Sequence, residues 1–589
     1  MKRRKGGARR AVALARAALR AAPAASLLLW HEAAQAQVGA GVIAPPTSPI
    51  QQMQPPTQPE VAPPVAAPPE AVPEETGAPI HITSVAINGS TVYPTAQLAA
   101  FFTGIEGATV PRSRIAEAVR ALQTKYREDG YFLTVVRASL EPVPSGELLR
   151  VQVIEGYISD VKLDGEVGPV AVLVYDYLNH LTATRPARIK DVERYVLLAK
   201  AIPGITIRTI LRPSRDNPGA VELIAQIQKK TFDFLLTDDN RGPRTAGPNE
   251  MLLGLSANSF TSLGERTQFY VYDTPLDPEQ VFGQVAYETL LGSQGLKFRG
   301  YVGYGTSTPG NVLALTGYHS NLLLGGGLLE YPFILTRDLS LSGRIGLDVN
   351  QSEIGLIGSN GLVEPLSKVR LRVLRIGEDM TIQDDLLGEG RSAANTISIT
   401  FHRGLPELAG STNNGVFTPR PGERNDFNKI TGEFVRTQNL FVWSTYTIDL
   451  KTGVTGQWTK DILPPVEKFQ LGGEQYGRGF YSGEVTGDMA AAGTIEPQLN
   501  QTLDGELFGH AYHITAQYYA FFDIGQIWSS ALSDTTTHIE STGTGIRANL
   551  TSWLSAQVEG VERFTRRPNA TTGPRELEHA VYFRLSVHL

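Results

Sequence analysis

Cysteine is absent from all 589 residues, which excludes a disulfide framework and a thiolate metal centre, so backbone hydrogen bonds and packing must hold the fold. Long apolar runs are missing too. Nowhere do eighteen apolar residues run together, and this excludes a membrane-spanning helix. The phosphate-binding pattern G-x-x-x-x-G-K-[ST], the G-x-S-x-G elbow and H-E-x-x-H do not occur. His510 and His513 are three apart, a spacing that on a strand sends them to opposite faces and not to one metal. The sequence therefore offers no catalytic, cofactor-binding or metal-ligating set, and no enzyme is expected.

What is present is glycine, at 59 residues, with 21 tyrosines and 22 phenylalanines in a chain that is only 41% hydrophobic, a balance suited to many short strands and tight turns. The N-terminus is basic. Lys2, Arg3, Arg4, Lys5, Arg9, Arg10, Arg16 and Arg20 precede SLLLW (Ser26 to Trp30) and Ala34-Gln35-Ala36, the order of a secretory signal over 1–36, cleaved before Gln37. A mitochondrial-type presequence shares part of that pattern. After cleavage 45 basic residues face 58 acidic ones, an excess of negative charge that argues against nucleic acid as a partner. Twelve prolines between Pro45 and Pro79 make 37–79 a solvated, partly extended linker.

The pattern then changes abruptly at residue 80. Over 80–157 a strand (Ile80 to Ile87), a helix with Ile115, Ala118, Val119, Leu122 and Tyr126 on one face, and strands at Tyr131 to Leu140 and Leu148 to Ile154 are predicted. The same order returns over 158–230, with a second helix presenting Ile189, Val192, Val196 and Ala199 before Pro203-Gly204 stops it. Two tandem αβ modules result.

From 231 to 589 the helical period vanishes and a period of two replaces it. Leu339, Leu341, Ile345, Leu347 and Val349 alternate with polar residues, as do NTISITFH (Asn395 to His402), Leu296 to Tyr304 and the terminal strand Val581 to Leu589, and the pattern predicts strands of about nine to ten residues. A soluble β-sandwich also alternates. The expected export, the recurrence of the pattern and a strand at the last residues instead favour a barrel closed in lipid, where an open edge would leave N–H and C=O groups unpaired at roughly several kcal/mol each. At roughly 22 residues per strand with its connection, about sixteen antiparallel strands fit. The expected fold is mainly β, a transmembrane β-barrel behind an α+β N-terminal part.

YREDGYFLTVV with VIEGYISDVKLDG, RYVLLAKAIPGITIRTILRPS with PGAVELIAQI, PVEKFQLGGEQYGRGFYSGEVTGD, and FFDIGQIW together resemble the two-partner secretion transporters of Gram-negative outer membranes. These are the filamentous-haemagglutinin and haemolysin exporters. The resemblance implies two periplasmic POTRA domains (80–157 and 158–230), a barrel (231–589) and a large inward-folded loop at about 464–494. It implies an unfolded, large, β-rich exoprotein as client, outer-membrane lipid as surroundings, and the outer-membrane assembly machinery as the agent of insertion. An assembly factor of the same superfamily would usually carry more POTRA copies, and a passive porin would need none.

Within the loop, Gly477-Arg478-Gly479-Phe480-Tyr481 sets one arginine between glycines that let the tip pass close to a wall. In the strand containing FFDIGQIW, His513, Thr515, Gln517, Tyr519, Phe521 and Asp523 share the wetter parity, so Asp523 is expected in the bore. If the loop folds inward, Arg478 can grip Asp523 bidentately; the resemblance implies the same pairing, with Phe521, Asp523 and Gly525 as the wall motif. The alternative is an ordinary loop with a solvated Arg478. Lys297, Arg299, Arg344, Arg370, Arg372 and Arg584 are expected to wet the bore.

Overall fold

The computed structural model describes residues 78–589 apart from 244–245, 277–278, 311–316, 359–361, 389, 414, 416–417, 508–509, 532–535 and 569–574. The expected leader at 1–36 and the linker up to residue 77 lie outside the described residues.

The first αβ unit comprises β1 (Ile80–Asn88), α1 (Thr95–Ala99), β2 (Ala108–Val110), α2 (Arg112–Glu128), β3 (Val135–Val143) and β4 (Gly146–Ile154), with sheet order β2-β1-β4-β3. β1 and β4 are parallel, and the other pairs are antiparallel. The predicted stripe of α2 is the buried one: Ile115, Ala118, Val119, Leu122 and Tyr126 pack on Leu149, Val151 and Val153 of β4. The short β2 was not foreseen from the sequence, because three residues are too few to display a period.

Glu155 explains the VIEGY stretch. Its carboxylate accepts from the Thr91 and Val92 amides at 2.9 and 3.1 Å and from the Tyr126 hydroxyl at 3.1 Å, so it ties the turn after β1 to α2. Gly156 is needed beside it, since a Cβ there would stand 2.5 Å from the Leu133 carbonyl oxygen. Burial pushes the Tyr126 hydroxyl up to about 12, which keeps it a donor.

The second unit comes directly after, with β5 (Tyr157–Asp164), α3 (Ala171–Asn179), α4 (Ile189–Lys200), β6 (Ile205–Pro213) and β7 (Ala220–Lys229), in sheet order β5-β7-β6. Its core is Val174, Tyr177, Leu178, Leu198, Leu223 and Ala225. This unit is docked on one rim of the C-terminal barrel. Arg194 donates to the carbonyl oxygens of Pro332 and Gln294 at 3.0 and 3.2 Å, His180 meets Ser293 at 2.9 Å, and Lys229 donates to the Ser259 carbonyl at 2.7 Å.

The barrel is closed and antiparallel, with sixteen strands. They are β8 (Phe232–Asp239), β9 (Glu250–Asn258), β10 (Arg266–Asp273), β11 (Gln280–Leu291), β12 (Leu296–Ser307), β13 (Tyr318–Leu335), β14 (Leu339–Ile357) and β15 (Val363–Asp384). Then come β16 (Ala393–Gly404), β17 (Asn428–Trp443) and β18 (Tyr446–Thr459), succeeded by two short strands inside a connection, β19 (Phe469–Leu471) and β20 (Val485–Gly487). The wall resumes with β21 (Met489–Leu507), β22 (His510–Trp528), β23 (Thr537–Asn549), β24 (Leu554–Arg563) and β25 (His579–His588). β25 closes on β8 through a short seam from Arg584↔Asp239 to His588↔Leu235, prolonged by mutual Phe234 and Leu589 backbone bonds of 2.9 and 3.0 Å.

Alternation is carried through the wall. On β22 Tyr518, Phe522 and Ile524 face outward while Tyr519, Phe521 and Asp523 are buried inside; on β25 Val581, Phe583 and Leu585 are outside and Tyr582 inside. Two expectations need correction. β13, β14 and β15 run to 18, 19 and 22 residues, well beyond the nine or ten read from the apolar pattern, because ladder bonding continues past the apolar belt wherever a neighbour is available. Arg370 and Arg372 do not wet the bore: they share a parity with Ile376, which is exposed on the outer face, while Val369, Leu371 and Val373 turn inward to pack on Phe427 and Leu463. A one-residue offset in reading β15 exchanges its faces.

Candidate functional site: a loop latched inside the barrel

The connection between β18 and β21 leaves the rim opposite the αβ units and turns back into the bore. β19 and β20 make it a hairpin, with Phe469↔Gly487 and Leu471↔Val485 in register. The wall resumes at Met489, so the loop is shorter than the range 464–494 expected for it; Ala490, Ala491, Ala492 and Gly493 carry too little side-chain contrast to mark a strand in the sequence.

At the tip, Arg478 meets Asp523 as a two-pronged pair, Nε to Oδ2 at 2.9 Å and Nη2 to Oδ1 at 2.7 Å, and the Arg478 amide also donates to Oδ2 at 2.9 Å. Its guanidinium lies 3.7 Å above the centre of the Phe521 ring. Two partners were not read from the sequence. Glu496 forms a second ion pair with Arg478, and Thr494 Oγ1 accepts from Nη2 at 2.7 Å while donating to Asp523 at 2.7 Å. Both sit on β21, where Thr494 is directly opposite Asp523, so the alternation of β21 was the available signal. Arg547 takes the other oxygen of Glu496 at 2.7 Å and balances the second carboxylate.

The cluster is dry: Arg478 is 3% exposed and Asp523 and Glu496 are 0%. In such surroundings the loss of one partner costs far more than the ~0 to 1 kcal/mol of a solvated pair, because the other charge is left buried and unpaired. The flanking glycines are required by the wall. Gly477 has φ +79°, and a Cβ on it would lie 2.4 Å from Ile539; a Cβ on Gly479 would lie 2.5 Å from that of Ser541. Phe480 is buried with Leu471, Tyr476, Ile527 and Ile539, and Tyr481 meets Tyr582 edge to face at 5.9 Å. Gly525 is the seat for Leu471, whose Cδ1 would be 2.6 Å from a Cβ there.

Further side chains hold the loop. Arg241, from the β8–β9 connection, donates to the carbonyl oxygens of Gly473 and Arg478 at 3.1 and 2.8 Å and pairs with Glu559. Arg584 bridges Asp239 at 2.6 Å and the loop's Glu474, while Tyr582 donates to the Gly479 carbonyl at 3.1 Å. At the loop's base Arg420 grips Asp488 at 2.7 and 3.1 Å.

On the opposite wall Glu467 accepts Lys429 at 2.7 Å and Arg375 at 3.2 Å, and Lys429 also holds the Glu467 carbonyl at 2.7 Å. Removing Glu467 strands a buried ammonium, the class of change that costs about 3–5 kcal/mol. Glu467→Ala is therefore expected to free the descending limb and raise single-channel conductance in planar bilayers by at least about threefold, with Glu467→Gln intermediate. Wild-type conductance in the alanine variant would show that the limb is held without this pair.

Residues 388–548 match the family profile of haemolysin secretion/activation proteins ShlB/FhaC/HecB, and 80–156 match the ShlB-type POTRA domain. Both matched regions carry the signatures of two-partner secretion transporters. Two solved structures share its architecture at low identity. CdiB from Escherichia coli is 16% identical with a TM-score of 0.68, over 90% of this chain and 94% of that one. CdiB from Acinetobacter baumannii is 14% identical with a TM-score of 0.60, over 96% and 97%. No curated protein matches the sequence. The transporter's barrel accordingly lies in the outer membrane with its POTRA-like units in the periplasm. That orientation makes the rim under α4 periplasmic and the connection of Arg478 an extracellular loop folded inward.

Proposed function

We propose that this transporter recognises one unfolded, β-rich exoprotein through its periplasmic units and passes it outward through the bore, with the loop of Arg478 as the movable obstruction. The observation that carries the reading is the dry Arg478–Asp523–Glu496 cluster, because it fastens an otherwise extracellular loop across the path a client would take. Client capture is assigned to a free sheet edge: β3 is the nine-residue edge strand of the first unit, and an extended chain adding to it would gain main-chain bonds with little demand on its side chains. The outward step draws on folding of the client outside the cell, without nucleotide hydrolysis or a covalent step. A haemolysin-type or adhesin-type client fits equally.

The lack of native cysteine makes a direct test clean. In Gly479→Cys/Ser541→Cys the two Cβ atoms start 2.5 Å apart, closer than the ~3.8 Å of a disulfide, so a small retreat of the tip suffices to join them. With a co-expressed large β-rich exoprotein that the wild-type transporter delivers as client, the oxidised pair is expected to lower surface delivery at least about tenfold and reductant to restore it. Undiminished delivery by the tethered form would remove loop movement from the mechanism.

A further inference from the structure

The outward arginines of β15 have no role in passage through the bore, and their surroundings indicate another. Arg370 and Arg372 on β15 and Arg403 on β16 share one face, since Leu374 and Arg403 are register partners and Ile376, Phe401 and Ile399 continue that face as exposed apolar residues. Successive same-face residues on a strand are about 7 Å apart, and Arg372 and Arg403 stand as a diagonal pair at about 7–8 Å. The three arginines thus stand in one row on the outer face, with Arg372 between Arg370 and Arg403. It lies at the extracellular end of the strands, directly above an apolar field of Leu374, Ile376, Phe401 and Ile430.

The backbone beneath the cluster is pinned. The Leu405 amide donates to the Arg372 carbonyl at 2.7 Å, the Ser411 amide to the Arg370 carbonyl at 2.8 Å, and the Arg370 amide to Ser411 Oγ at 2.9 Å. Arg403 donates to Asn428 at 3.0 Å, and Arg372 to the Leu371 carbonyl at 2.8 Å. Among the described residues none of the three forms an ion pair. Nearby Lys368 and Glu353 neutralise each other, Glu364 is six residues up the strand from Arg370, and Glu407 in the turn above makes no ion pair with the cluster.

We infer that Arg370, Arg372 and Arg403 form a binding site for a phosphorylated glycolipid of the outer leaflet, with the phosphates on the guanidinium cluster and the acyl chains on the apolar field below. The partner must be lipid-anchored because the cluster is on the outer wall at the edge of the hydrocarbon. It must be anionic because a cluster of three like charges without carboxylate partners is unfavourable until a counter-charge arrives. Arginine's planar fork suits phosphate oxygens, and its stem can lie along the apolar wall while the head reaches the interface.

The full chain in detergent, titrated with bis-phosphorylated lipid A and read by native mass spectrometry, tests this. The expected results are retention of lipid A, at least about tenfold weaker retention of its dephosphorylated form, and a similar loss in Arg370→Ala/Arg372→Ala/Arg403→Ala. Lys368→Ala should retain lipid A as the wild type does. Heat-modifiable gel mobility checks that the triple variant is a folded barrel, and the dephosphorylated lipid tests the site on the wild-type chain alone. Equal retention of both lipids, unchanged retention by the folded triple variant, or displacement of lipid A by millimolar inorganic phosphate would each overturn the assignment.

Discussion

Arg478→Ala is expected to cut surface delivery of the client at least about tenfold while leaving a folded, heat-modifiable barrel in the outer membrane. The asymmetry follows from where the cluster's energy resides. The sixteen-strand wall is closed by backbone ladders that do not involve Arg478, so its assembly survives the loss of one side chain. The loop tip does not. Without the guanidinium, Asp523 loses both side-chain prongs and Glu496 loses one of its two cations, keeping Arg547 and the Gln498 amide, and stripping a buried carboxylate of its cation costs about 3–5 kcal/mol. The tip thereby loses its fixed seat, while Arg420–Asp488 and Lys429–Glu467 still hold the base of the loop inside the bore, so the loop stays in the client's path without a defined position from which to withdraw. Arg478→Lys keeps the charge but loses the two-pronged fit and the stacking on Phe521, and should fall between the two. Secretion assays with parallel membrane fractionation decide the matter; wild-type delivery by the alanine variant would take the latch out of the mechanism.

Deletion of residues 80–157 should abolish client binding, while the remaining chain still conducts ions in planar bilayers. Structure permits the separation: the first unit has its own core, from Ile82 and Leu98 through Leu122 to Val153, whereas the contacts with the barrel rim come from His180, Arg194 and Lys229 of the second unit. Removing the first unit thus leaves the barrel's periplasmic support in place. Pull-down of the exoprotein by the truncated transporter at full-length levels would refute the assignment of client recognition to the first unit.

The periodicities carried most of the architecture. The stripe of α2 and the dyad of β22 are readable because each has one side in a dry core or in lipid and one side in water, and that contrast is written residue by residue. Arg478 and Asp523 were legible for the same reason, one as a lone cation between glycines and the other as the polar member of an alternating strand. Glu496 was less so, since β21 opens on alanines that show no sides. Lys429, Arg375 and Glu467 were silent, each being an ordinary polar residue on its own segment and a cluster only across the bore.

The amino-acid order by itself determined two αβ units, a dyad-patterned region long enough for about sixteen strands, and a glycine-flanked arginine in a long connection. Each of those is a local property, set by which neighbours along the chain share water or avoid it. Only the tertiary structure decided that Arg370 and Arg372 are on the outer face of the barrel, that the loop's limb is tied to Lys429, and that Arg478 serves two carboxylates. Those depend on register and on closure of the ring, which bring residues dozens to hundreds of positions apart within hydrogen-bonding reach, and a shift of a single residue would have reversed every face.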